Sequence, residues 1–192
     1  YEAPLAMEKE HLADVVCKCL HLNCPTPDLK DWEEMVHALK NPQKDVTIAL
    51  VGKYTALHDA YISVVESLKH GAVANNANVN IKWISSEDVT AETVDNLLSD
   101  VNGILVPGGF GDRGIDGKLY AIQYAREHNI PFLGLCLGMQ LSIVEFARNV
   151  IGFTDAHSSE LNPSTTHPVI HLMPEQDGIE DIGGTLRLGA YP

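Results

Sequence analysis

An α/β fold with a doubly wound, mainly parallel sheet and flanking helices is what the sequence predicts, and three observations carry it. From Val46 onward, short apolar or β-branched runs alternate with segments of helical periodicity. Such alternation gives parallel strands joined by right-handed crossovers. The turns between these segments are only a few residues long, and two of them, after Val106 and around Cys136, are glycine-rich and fall at the carboxyl ends of strands. Open α/β sheets bind their ligands at such ends. The 192 residues suffice for one ordinary domain plus an appendage, and folding at that size buries roughly 70% of the unfolded surface without staples.

Residues 1–45 differ from the rest. The chain opens on Tyr1 rather than Met and is read as an excerpt of a longer polypeptide. Ala6 to Leu20 has helical periodicity, and Cys24-Pro25-Thr26-Pro27 breaks it. Asp28 is placed to cap a second helix running to about Leu39, with acids in its early turns, and Asn41-Pro42 ends it. Two short helices in a charged, Pro-punctuated segment read as an interdomain connector.

The domain proper is expected over 46–192. Val46 to Val51 is a β-branched run closed by Gly52, Asp59 to Ala74 is helical, and Asn75 to Asn78 is a turn. Val79 to Ile84 alternates like a strand nearer the sheet edge, and Ala91 to Leu98 is a short helix. Gly103 to Pro107 is a buried strand, Gly117 to His128 a helix, and Phe132 to Leu135 a further buried strand. Beyond Gly152 the pattern weakens, with Gly183 to Gly189 as a further strand and turn.

The net charge of −13 argues against a nucleic-acid backbone or an anionic membrane as partner. No apolar run approaches the length of a membrane span. Cys17, Cys19 and Cys24 cluster, but C-x-C-x4-C with His21 is not a standard zinc spacing; reduced thiols of a cytoplasmic protein are the better reading, and no metal site is assigned.

Cys136 is different. It stands between the apolar run ending at Leu135 and the helical segment from Leu137, with Gly134 and Gly138 two residues away on either side. This is the Gly-x-nucleophile-x-Gly spacing of a nucleophile elbow, with Cys in place of Ser. A sharp strand-to-helix turn strains the apex residue, and flanking glycines let strand and helix approach without a Cβ clash. Backbone N–H groups at the helix start favour a thiolate and can bind an oxyanion. A lone cysteine is more often a buried structural residue; the glycines and the strand-to-helix switch reverse that preference.

Pro107 to Gly114 forms the second motif. Gly109 to Gly114 formally fits the dinucleotide fingerprint G-x-G-x-x-G. The match is weak: it follows the third strand, its helix is expected to start later, near Gly117, and no acidic residue ends a strand about 20 residues on. An oxyanion loop, with glycine N–H groups turned toward Cys136, is the preferred reading.

Gly134-Leu-Cys-Leu-Gly-Met-Gln140, with Pro107-Gly-Gly-Phe-Gly111 upstream, resembles the class I (triad) glutamine amidotransferases. Ala49 to Tyr54, Asp59 to Val64, Gly108 to Gly114, Ser158-Ser-Glu160 and Gly183 to Gly189 narrow the resemblance to the CTP synthase family. It implies that residues 1–45 are the end of a synthetase domain and its linker. It implies a glutaminase that hydrolyses L-glutamine through a glutamyl thioester and passes ammonia to an ATP- and Mg²⁺-dependent amination of UTP in the synthetase domain. GTP as activator and a homotetramer are implied likewise, with no cofactor in this domain. Residue by residue, Cys136 is implied as nucleophile and the N–H groups of Gly109 and Leu137 as the oxyanion hole. Gly108, Phe110, Gln140 and Glu160 are implied as the glutamine pocket, and Arg113 as part of a GTP loop. The family's His-x-Glu motif lies beyond the Gly183 to Gly189 stretch; His157, His167 and His171 do not match it and read as loop histidines. A protein ending at Pro192 is therefore expected to have little glutaminase activity. A different triad amidotransferase, such as a GMP synthase, and a catalytically silent binding domain of the same fold are the rival readings.

Overall fold

The computed structural model describes residues 1–109 and 111–172. The Gly183 to Gly189 stretch and Phe110 lie outside the described residues. The chain divides into two compact units, one of residues 1–48 and 58–81, the other of residues 49–57 and 82–192.

The first unit begins with α1 (Ala3–Lys9) and α2 (Leu12–Cys19). The single helix expected over Ala6 to Leu20 is thus two. The break is at His11, whose φ of 55° is left-handed and cannot continue a right-handed helix. Neither α1 nor α2 buries a residue. α3 (Lys30–Lys40) follows, with the Lys30 N–H donating to the Asp28 carboxylate at 3.1 Å, so Asp28 acts one residue before the cap position itself. It packs on α4 (Ile62–Ala74), which a 3₁₀ turn (His58–Tyr61) introduces. Tyr1 is tied into this unit. Its hydroxyl donates to Glu66 at 2.5 Å, and its carbonyl accepts from the Trp32 indole at 2.7 Å.

β1 (Lys44–Gly52), β2 (Ala77–Ser85), β3 (Gly103–Val106) and β4 (Phe132–Gly134) form a parallel four-stranded sheet of order β2-β1-β3-β4. The helices α5 (Val94–Leu98), α6 (Ile115–Glu127) and α7 (Leu137–Phe146) flank it, as the doubly wound expectation requires. A π turn (Ala147–Ile151) extends α7. Beyond it, β5 (His157–Ser158) and β6 (Pro168–Ile170) pair in parallel.

The core of the second unit is built from the carboxyl-end residues of β1 (Ala49, Val51), Ile104 and Val106 of β3, and the inward faces of α6 and α7 (Ile115, Ala121, Ile122, Leu141). All four residues of β3 are buried because the strand has a neighbour on either side. β4 departs from the expectation of a buried strand. It is the last of the four, and Leu133 is 52% exposed. α6 also departs, starting at Ile115 rather than near Gly117. Gly114, at φ 72°, turns the chain straight into the helix. One argument against the dinucleotide fingerprint, the late helix start, falls with it.

A half-buried ion pair links α6 to α7. Glu145, 2% exposed, accepts from Arg126 Nε at 3.0 Å and Nη2 at 2.8 Å, and from Asn149 at 3.0 Å. No helix of the described residues is long and apolar enough to cross a membrane.

Candidate active site

The register of β3 on β4 brings the two glycine-rich turns together. Val106 stands opposite Gly134, and the Leu135 N–H donates to the Val106 carbonyl at 2.9 Å. The residues leaving these two strands, Pro107 to Gly109 and Leu135 to Leu137, therefore lie beside one another.

Cys136 caps α7 with φ 51° and ψ −109°. That region costs a non-glycine residue about 1–3 kcal/mol and persists only where the surroundings enforce it. Here they do. A Cβ on Gly138 would lie 2.0 Å from the Val106 carbonyl oxygen, and one on Gly134 would lie 2.5 Å from the Gly138 carbonyl carbon. Strand and helix thus meet across two bare Cα positions, and the apex between them must bend sharply. The thiol is exposed. The other three cysteines are also free, and no His/Cys/Asp/Glu group able to hold a metal is present among the described residues.

Gly108 faces the thiol directly. A Cβ built there would sit 3.2 Å from the Cys136 Cβ and 3.8 Å from Sγ. Gly109 follows, partly exposed, in the loop beside Cys136. Leu137 opens α7, whose first-turn N–H groups have no intrahelical acceptor. Gln140 is half-buried one helical turn above Cys136, so its side chain rises on the same face. Its N–H closes the turn on the Cys136 carbonyl at 3.1 Å.

Glu160 lies just after β5, exposed, with its N–H on Ser158 Oγ at 3.3 Å. β5 and β6 both pack against α7, the helix that Cys136 caps. Asp155 accepts from the Thr166 N–H at 2.7 Å and from its hydroxyl, and pairs with His167, whose ring stacks on Phe153 at 4.3 Å. These hydrogen bonds, that from the Thr166 hydroxyl foremost, hold the Asp155 carboxyl far below the ordinary carboxylate range.

The three histidines have other engagements. His157 lies on β5 rather than in a loop; its Nδ1 accepts from the Ser158 N–H at 2.9 Å. Burial, helped by Arg148, lowers its pKa. His167 is held by Asp155, and His171 by Ser159 Oγ at 2.8 Å. Arg113 is exposed, bridges to Glu87 at 3.0 Å and lies over the Tyr54 ring at 5.7 Å.

Two lysines beneath the Gly108 to Gly111 loop are absent from the sequence-based site. Lys53 Nζ donates to the Gly111 carbonyl at 2.8 Å. Lys118, on α6, is fully buried, and its Nζ has no hydrogen-bond partner among the described residues. A Cβ on Gly109 would lie 3.9 Å from that Nζ. Burial, and then the charge of Lys53, pull the Lys118 pKa down to about 8. A signal existed: Lys118 sits among Ile115, Ala121, Ile122 and Ala125 at helical spacing, a lysine in a core stripe.

A strained, exposed cysteine between two glycines, at the head of a helix and beside a glycine loop from the neighbouring strand, defines the amidotransferase elbow. The family comparison agrees: the model of class-I glutamine amidotransferases matches residues 56–192, and the chain belongs to that family. Its relatives are more particular. Along the whole chain it is 60% identical to the CTP synthase of Clostridium acetobutylicum and 59% identical to that of Ruminiclostridium cellulolyticum. It spans about a third of their length, 36% in each case. Among solved structures, the glutaminase domain of Trypanosoma brucei CTPS with bound acivicin superposes with a TM-score of 0.65 at 42% identity, covering 68% of this chain and 51% of that one.

Proposed function

We propose that this domain hydrolyses L-glutamine with Cys136 as nucleophile and supplies the ammonia for ATP-dependent amination of UTP to CTP. The observation that carries the reading is the Cys136 apex: exposed, strained, and 3.2 Å from the Cβ position of Gly108.

The thiolate attacks the side-chain amide carbon, and the oxyanion develops where the N–H groups of Gly109 and Leu137 converge. Collapse of that intermediate expels ammonia, the amide nitrogen gaining a proton, and leaves a glutamyl thioester. Water cleaves the thioester to glutamate and regenerates the thiol. Gln140 and Glu160 hold the amino-acid end of the substrate. A carboxylate suits an ammonium group, so Glu160 takes the α-amino group, and Gly108 leaves room for the side chain. None of His157, His167 and His171 is assigned as general base, because each has another partner. ATP, Mg²⁺, UTP and the synthetase domain belong to the parent polypeptide, which we read as a tetramer activated by GTP; the Arg113 loop is the candidate contact for that nucleotide. The identity of the relatives supports a CTP synthase over another amidotransferase. The free thiols of Cys17, Cys19 and Cys24 fit a reducing, cytoplasmic setting.

The test is Cys136→Ala in the full-length protein. Glutamine-driven CTP formation is expected to fall by at least about 10³-fold, while formation from added ammonium salt persists. A glutamine-like electrophile should add its mass to Cys136 and to no other cysteine. Steady glutamine turnover by Cys136→Ala would refute the assignment.

A further inference from the structure

The buried lysine under the oxyanion loop has no role in the mechanism above. A fully buried ammonium without an acceptor is rare, because its desolvation is not offset. Such a group asks for a partner that arrives in another state of the site. The neighbouring lysine shows what kind of partner: Lys53 already holds a backbone carbonyl of the same loop, that of Gly111.

We propose that Lys118 is a positioning residue of the oxyanion hole, and that its Nζ takes up the Gly108 carbonyl when glutamine is bound. The inference rests on the glutaminase reading of Cys136. The geometry follows from the planar trans peptide: the carbonyl of Gly108 and the N–H of Gly109 belong to one unit and point in opposite directions. A carbonyl drawn inward onto Lys118 turns the Gly109 N–H outward, to the side where Cys136 stands. The distances permit it. The Lys118 Nζ is 3.9 Å from the Gly109 Cβ position, and a Cβ on Gly108 would lie 3.2 Å from that of Cys136. Gly111, at φ 75°, and Gly114, at φ 72°, supply backbone freedom on the far side of the loop.

The surroundings leave Lys118 available for this. β3 and β4 carry no ionisable side chain. α5 contributes Asp95; α7 contributes Cys136 at its head and Glu145, which Arg126 occupies. Among the described residues, Lys53 is the charged group that acts on Lys118, and it repels. Asp112, Glu87 and Arg113 surround Lys53 instead. A carbonyl oxygen is therefore a natural acceptor, and the loop at Gly109, whose Cβ position is 3.9 Å from Nζ, supplies one.

The test compares Lys118→Met, a similar length without a donor, and Lys118→Gln, which keeps an N–H donor without charge, in the full-length protein. Since the hole binds the transition state, Lys118→Met should lower kcat for glutamine hydrolysis about tenfold with KM within about twofold of wild type. Lys118→Gln should recover part of the loss. CTP formation from ammonium salt should be unchanged, and the melting temperature should not fall. Wild-type kcat in Lys118→Met, or an equal loss with ammonia as the nitrogen source, would overturn the inference. The parent reading fails separately, if Cys136→Ala still turns over glutamine.

Discussion

The two glycine-rich turns of the site use the same residue for opposite reasons. At the elbow, Gly134 and Gly138 supply space: a methyl group on either would drive into backbone 2.0–2.5 Å away. In the loop, Gly111 supplies conformation, with φ 75°, and a methyl on it or on Gly109 would meet nothing closer than 3.9 Å; Gly114, at φ 72° and with its Cβ position 2.1 Å from Ser86 Oγ, needs both. The elbow is therefore wedged in place, whereas Gly109 and Gly111 have room around them. One amino acid thus fixes one turn and frees the other through different properties.

Three substitutions break or sharpen this contrast. The largest effect belongs to Gly138→Ala, where backbone meets backbone and no side chain can yield. It is expected to cost more than about 4 kcal/mol, read as loss of soluble, cooperatively melting protein. A well-folded Gly138→Ala protein would show the elbow to be looser than drawn. Lys118→Met comes next and has the opposite sign. Removing a buried, unpartnered ammonium should stabilise the fold by about 1–4 kcal/mol at neutral pH. Because the folded-state pKa, about 8, lies below the ordinary lysine value, the wild type binds fewer protons than its unfolded chain as pH rises from 8 toward 10.5. Its stability therefore recovers over that window, and the gap to Lys118→Met should narrow. Urea titrations at pH 7 and pH 10 read this directly, and a gap that stays constant would mean the lysine is not charged in the core. Gly111→Ala is the smallest, about 1–2 kcal/mol of left-handed strain with no clash beyond the Lys53 tip. Its melting point should drop by only a few degrees.

How much of this was legible beforehand depended on how local the cause was. The elbow could be read because its steric demand is written within five residues, Gly134 to Gly138, at a strand-to-helix switch. The sheet could be read because β1 and β3 are dense apolar runs bounded by glycines. The break at His11 could not, because the apolar spacing runs on through it and a left-handed histidine has no sequence mark. β4 looked buried because its composition is that of a core strand, while its place at the end of the order is a long-range fact. Arg126 and Glu145 are 19 residues apart, and neither stood out as half of an ion pair until α6 and α7 were set side by side. The register of β3 on β4, which joins the two turns into one site, belongs to the same class.

The clasp at Asp155 reaches further than its own hydrogen bonds. It fastens Thr166 and His167, just ahead of β6, to the segment that enters β5, and the short bend bearing Glu160 hangs between those strands. Because the Asp155 carboxyl titrates below its ordinary range, the clasp stays shut from neutrality down to mild acid and opens only as pH falls through that depressed value. A strongly acidic quench would therefore loosen the β5–β6 connection that carries Glu160 before it disturbs the wedge at Cys136.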